Sequence, residues 1–186
     1  MTLMESGEQL KNGDAAPSFS LTGTDGKMHG LPDTAKANAL LVVFMCNHCP
    51  YVKPKLAELN RIWNDYKDKG LAMVGINSND PVGYPEDDLA HMQQLVTEGM
   101  VSYLYLVDEM QDVAKAYGAV CTPDPFLFLK MRGGFVLVHH GRIDDVHRDQ
   151  PATRHELHEA IGQLLSTGKI DIPEQPSMGC SIKWRY

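Results

Sequence analysis

The chain has no apolar run long enough to cross a membrane. Its longest, residues 39–45, falls far short of the roughly 20 residues that a spanning helix needs. The N-terminal stretch MTLMESGEQLKNGD lacks an apolar signal core. A cytoplasmic protein with no membrane partner is therefore expected. A basic patch is also missing: 24 acids against 17 Lys plus Arg leave a formal charge of -7, which repels phosphate backbones and argues against nucleic acid as a partner. Four cysteines in 186 residues are too few for a disulfide-stapled secreted scaffold. There is no internal repeat and no low-complexity linker. No Gly-rich phosphate loop occurs either, since Met131-Arg132-Gly133-Gly134 lacks the required spacing before a helix. Nothing calls for an organic cofactor.

What is present is a globular composition, 43% hydrophobic and 22% charged, on a length suited to one domain. Residues 17–21 alternate, a turn cluster follows at Gly23-Thr24-Asp25-Gly26, and 27–30 completes a hairpin ahead of the main fold. Residues 39–45 form a continuous Val- and Leu-rich run, as expected for a strand covered on both faces. The period then changes. Val52, Leu56, Leu59, Trp63 and Tyr66 recur at helical spacing up to a stop at Gly70. Residues 71–76 and 103–107 read as further strands, with helices marked by Leu89, Met92 and Val96 and by Met110, Val113 and Tyr117. This alternation predicts a sheet with parallel strands and right-handed crossovers. Residues 126–129 and 135–138 read as an antiparallel hairpin, and Leu157, Ile161 and Leu164 as a last helix. The single domain spans 1–186, with 1–12 expected to be flexible and 169–186 an irregular C-terminal tail.

Cys46-Asn47-His48-Cys49 sits where the buried strand gives way to a helix. At a helix N-terminus, unpaired amides and the positive dipole end stabilise an anion, so the Cys46 thiol is expected to ionise below the ~8.5 of free cysteine. Cys46 is the expected nucleophile. Cys49, one turn on, is the expected resolving thiol. His48 can add charge or a hydrogen bond to the thiolate and make the disulfide a better oxidant, whereas Asn47 adds no charge. The blander reading of His48 is a solvated loop residue.

These residues resemble the thioredoxin superfamily, and within it the peroxiredoxin-like branch related to AhpC/TSA. Gly13-Asp14-Ala15-Ala16-Pro17-Ser18-Phe19-Ser20-Leu21 is similar to that branch's opening strand, and Cys46-Asn47-His48-Cys49-Pro50-Tyr51-Val52 to its redox turn. Cys121-Thr122-Pro123-Asp124-Pro125-Phe126 is similar to its proline loop, and Gly179-Cys180-Ser181-Ile182-Lys183-Trp184 to its C-terminal signature. The resemblance implies an α/β thioredoxin-like fold, a mixed central sheet flanked by helices, here with an N-terminal β-hairpin extension. It implies a cis peptide at Pro123 facing the cysteine pair, and a backbone at Thr122 available to pair with a substrate chain. The implied activity is thiol-disulfide exchange on a protein or small-molecule disulfide, with a thiol reductant as the second partner. Pro54 fits a kinked first helix or, equally, a helix start.

Departures bear on mechanism. A peroxiredoxin carries Pro and Thr at the places that Val42 and Cys46 hold relative to Cys49, and an arginine where this chain has Cys121-Thr122-Pro123. Leu40 stands where thioredoxin has its buried acid. The rival readings are a thiol peroxidase of peroxiredoxin type and a noncatalytic or metal-binding adaptor. Cys121 and Cys180 are auxiliary-thiol candidates, or small buried packing residues. Cys46, Cys49, Cys121 and Cys180 have the ligand count for zinc but lack a second close-spaced pair, so no metal is expected. His139 and His140 point to opposite faces of a strand and cannot easily share an ion, and His147 belongs to the same histidine-rich region. His155 and His158 read as a solvated helix face. Arg142-Ile143-Asp144-Asp145 resembles a recurring family segment and is otherwise a charged turn.

Overall fold

The computed structural model describes residues 3–31, 36–146 and 151–185; His147 lies outside them. Ten strands and four α-helices follow in order: β1 (Leu3–Glu5), β2 (Ser20–Gly23), β3 (Met28–Gly30), β4 (Ala39–Phe44), α1 (Leu56–Tyr66), β5 (Leu71–Asn77), α2 (Leu89–Thr97), β6 (Leu104–Val107), α3 (Asp112–Tyr117), β7 (Cys121–Thr122), β8 (Asp124–Met131), β9 (Gly134–His140), α4 (Glu156–Thr167) and β10 (Met178–Ser181). Seven strands form the central sheet in the order β3-β2-β6-β5-β4-β8-β9. The β4, β5 and β6 pairings are parallel and the others antiparallel, so the sheet is mixed.

β4 shows why the apolar run has no alternation. Leu41 and Val43 pack on one face with Leu59 and Ile62 of α1 and Ile161 and Leu164 of α4. Leu40, Val42 and Phe44 pack on the other with Tyr117 of α3 and Phe126 and Phe128 of β8. Each such fully buried side chain contributes about 1.5–3 kcal/mol. α1 is preceded by a 3-10 turn at Lys53–Lys55, where Pro54 sits at the start and needs no amide partner. A second 3-10 turn ends at Gly70, whose φ of 97° is the left-handed conformation that makes glycine a helix stop.

The expected N-terminal hairpin is present as β2 and β3, and because β2 pairs with β6 it forms one edge of the central sheet. Two expectations about the outer segments are corrected. Residues 1–12 contain β1 and 169–186 contain β10; together with β7 they build a second sheet, ordered β1-β10-β7. Leu3–Glu5 and Met178–Ser181 are thus held by pairing with each other and with the proline loop, a long-range contact that local periodicity does not reveal.

Candidate active site

β4 delivers Cys46 to the end of the sheet, and the chain turns there through Asn47 and His48. The backbone carbonyl of Cys49 accepts from the amides of Val52 and Lys53 at 3.0 and 3.1 Å, so Cys49, not Cys46, caps the helical turn that leads into α1. Thr122-Pro123 is cis, as the resemblance implies. Thr122 touches both cysteines: its hydroxyl lies 3.4 Å from Cys46 Sγ, and its carbonyl lies 3.4 Å from Cys49 Sγ. Both cysteines are free thiols, at 1% and 0% exposure.

Asp87 is the component that sequence reasoning missed. It is 1% exposed, and its Oδ1 accepts from the amides of Asn47 and His48 at 2.8 and 3.2 Å. Its Oδ2 accepts from His48 Nδ1 at 2.6 Å and from Asn79 Nδ2 at 2.7 Å. Asp88 next door caps α2 by accepting from His91 N at 2.8 Å, which fixes the preceding residue against the cysteine loop. The Asn47 amide donates to the carbonyl of Glu86 at 2.8 Å, and its oxygen accepts from the Tyr105 hydroxyl at 2.9 Å. His48 stacks on Tyr84 with ring centroids 5.1 Å apart and planes 12° from parallel, so it is not a free loop residue. Its contact with the redox pair runs through Asp87 rather than directly to a thiolate.

The electrostatics reverse the expected order of ionisation. The amides that would stabilise a Cys46 thiolate are taken by the Asp87 carboxylate. The Cys46 thiol is pushed well up because it donates to Cys49, because it is buried, and because Asp87 is a nearby negative charge. Cys49 is pushed down, chiefly by the hydrogen bond from Cys46, with further donors in the Cys180 thiol and the amides of Tyr51 and Cys180 outweighing burial.

The other sequence candidates separate. Cys121 is buried on β7, adjacent to Thr122 and hence directed to the opposite face, and burial pushes its thiol up. Cys180 lies opposite Thr122 on β10, so the edge of Thr122 expected to receive a substrate is already paired. The donors of Cys46, His48 and Asp87 lie within 4.8 Å of one another. Of these, His48 and Asp87 are hydrogen-bonded to each other at 2.6 Å, and among the described residues this trio, not the four cysteines, is the donor group that converges. His140 Nε2 binds the buried Asp124 at 2.8 Å, while His139 faces Glu174 at 3.8 Å. His155 and His158 pair with Glu58 and Asp65 of α1 at 3.1 and 2.8 Å rather than with each other. In the Arg142 segment, Arg142 binds Glu156 at 2.6 Å and Asp144 is buried against Lys55. That segment is a structural clamp between the turn ahead of α1 and the start of α4, and the Arg142 amide also donates to the Gln175 carbonyl at 2.7 Å.

A helix-flanked mixed sheet with two thiols facing a cis-proline defines the thioredoxin-like class. Residues 11–164 match the Redoxin family, and the chain belongs to it. A thiol-disulfide oxidoreductase, ResA, from Halalkalibacterium halodurans is 24% identical over 69% of this chain and 68% of its own length. A Helicobacter pylori relative carrying a peroxiredoxin name is 23% identical over 60% of this chain and 68% of its own. Two crystal structures are similar throughout. The Geobacillus kaustophilus protein has TM-score 0.91 at 40% identity, covering 100% of this chain and 97% of its own. That from Sinorhizobium meliloti 1021 has TM-score 0.90 at 37% identity, covering 97% and 98%. The names of the Halalkalibacterium and Helicobacter relatives point to redox chemistry. Among the described residues no helix is long and apolar enough to cross a membrane.

Proposed function

We propose that the protein is a thiol-disulfide oxidoreductase in which Cys46 attacks a disulfide and Cys49 resolves the product. The supporting observation is that Thr122, ahead of the cis bond to Pro123, touches both sulfurs, Cys46 with its hydroxyl and Cys49 with its carbonyl, each at 3.4 Å. The Cys49 thiolate is the base for Cys46. As the Cys46 sulfur bonds to one sulfur of the substrate disulfide, its proton passes to Cys49 and the other substrate sulfur leaves as a thiolate. Cys49 then gives that proton to the leaving group, attacks the Cys46 sulfur, and releases the second substrate half as a thiolate, which takes its proton from water. A Cys46–Cys49 disulfide remains, and a thiol reductant restores the dithiol. Asn47 and His48 tune the step through Asp87, and Thr122 with Pro123 forms the wall against which substrate lies. A cavity of about 170 Å³ bordered by Pro50, Tyr51, Pro123 and Met178 offers room beside that wall. Protein or small-molecule disulfides are the substrate class, and the cytoplasm, which keeps such pairs reduced, is the compartment that suits it.

One observation favours the peroxidase as a second reading: a stabilised thiolate at Cys49, the place of the peroxiredoxin's reactive cysteine. Against it, Arg142, which borders the same cavity, is held by Glu156 at 2.6 Å. Turnover of a model disulfide and of hydrogen peroxide by the same preparation decides between them. Disulfide reduction with peroxide consumption no faster than free cysteine supports the proposal; the reverse pattern supports the peroxidase.

A further inference from the structure

Cys180 takes no part in the steps above, yet it is 1% exposed and packs in the same apolar cluster as Cys46 and Cys49. Strand pairing puts it there. β10 lies antiparallel on β7 with Cys180 opposite Thr122 and Ser181 opposite Cys121, and the Ile182 amide extends the ladder to the Val120 carbonyl at 2.9 Å. Thr122 is the residue that touches both active-site sulfurs. The backbone edge beside the cysteine pair is thus filled by the chain's own C-terminal strand, which carries a cysteine at the register position nearest the pair. The fit is close: a Cβ on Gly179 would lie 1.9 Å from the Thr122 carbonyl oxygen, so glycine is what lets the strand seat. β1 closes the far edge of β10, with Leu3 opposite Cys180. Cys180 and Cys49 lie close enough for each to bear on the other's ionisation.

We propose that Cys180 is a third redox thiol, held by β10 in the position of a substrate cysteine, which exchanges with the Cys46–Cys49 disulfide. The proposal rests on the thiol-disulfide reading. After a disulfide substrate has oxidised the pair, the Cys180 sulfur attacks the Cys49 sulfur. The Cys46–Cys49 bond breaks, a Cys49–Cys180 bond forms, and Cys46 leaves as a thiolate that takes the proton Cys180 gives up. One disulfide replaces another, so no external oxidant or reductant is consumed. Cys49 is the target because its sulfur lies 3.4 Å from the carbonyl of Thr122, the residue that Cys180 is paired with. Burial and the Cys49 charge together push the Cys180 thiol up to about 12 in the reduced protein. Oxidation of Cys49 removes that charge, which eases ionisation of Cys180 at the stage when it attacks. The exchanged disulfide lies under β10, away from solvent thiols, and Cys46 is free; attack of Cys46 on Cys49 reverses the step.

The test is disulfide mapping of the full-length protein. Wild type and Cys180→Ala are oxidised with excess oxidised glutathione, quenched in acid, alkylated under denaturing conditions, digested and analysed by mass spectrometry. The expected wild-type result is two linkages, Cys46–Cys49 and Cys49–Cys180, the second accompanied by alkylated Cys46 and absent from Cys180→Ala. A Cys46–Cys49 linkage with Cys180 wholly alkylated overturns this inference and leaves the oxidoreductase reading standing. Absence of Cys46–Cys49 from both proteins overturns both. The wild-type map decides the matter even if the variant fails to fold.

Discussion

The 2.6 Å hydrogen bond from His48 Nδ1 to Asp87 Oδ2 joins the cysteine loop to the turn before α2 and sets a buried carboxylate against Cys46. It explains why the first cysteine of the motif is the harder of the two to ionise. Two amides that would otherwise serve its thiolate point at Asp87 instead. His48 acts as a counterweight to that carboxylate.

Asp87→Asn removes the charge while keeping an oxygen for the Asn47 and His48 amides. The Cys46 pKa should fall and the Cys46–Cys49 disulfide should become more oxidising, because the reduced form gains stability. Each unit of pKa corresponds to about 1.4 kcal/mol, or about 30 mV for a two-electron couple. His48→Ala should shift both quantities the other way, and in the Asp87→Asn background it should change little. Thiolate absorbance and glutathione equilibrium in the four proteins check this; additive effects would show that His48 acts on the thiol by another route.

Gly179→Ala places a methyl group against backbone rather than a movable side chain. Overpacking of this kind costs about 1–3 kcal/mol, and for a chain of this size each kcal/mol lowers Tm by about 2–4 °C. The loss should be confined to the small sheet: amide exchange at Leu3 and Cys180 should quicken while β4 and β5 stay protected. An unchanged Tm and exchange pattern would contradict the close approach of β10 to Thr122.

Asp124 is fully buried, binds His140 through Oδ1, and among the described residues has no partner for Oδ2. Burial pushes its pKa up despite the His140 bond. The native chain therefore holds a proton that the unfolded chain releases as pH rises from the usual value of about 3.9 towards the lifted one, and stability falls across that window. Asp124→Asn carries no such proton. Its stability relative to wild type, from urea midpoints, should improve as pH is raised from 4 to 7; a difference independent of pH would mean that Asp124 titrates normally.

The central sheet and its helices were legible because their signals are local. The unbroken apolar run of β4 comes from burial on both faces, and the helical spacing of Val52, Leu56, Leu59 and Trp63 from burial on one. The Cys46, Cys49, Thr122 and Pro123 grouping was legible through resemblance rather than through period, since β7 is only two residues long. Asp87 was not legible: it stands 40 residues from Asn47, in a polar turn whose composition matches any loop. β1 and β10 escaped notice because short strands from the two chain ends carry no alternation, and their pairing exists only once the fold has brought them together.

The most direct test of the central claim is to trap the mixed disulfide. Cys46→Ser and Cys49→Ser proteins are each treated with a disulfide substrate, and the adduct is located by mass spectrometry. The account predicts a stable adduct on Cys46 in Cys49→Ser, where attack proceeds and release does not, and loss of turnover in Cys46→Ser. A stable adduct on Cys49 in Cys46→Ser, with Cys46 unmodified in Cys49→Ser, would contradict it and make Cys49 the attacking thiolate.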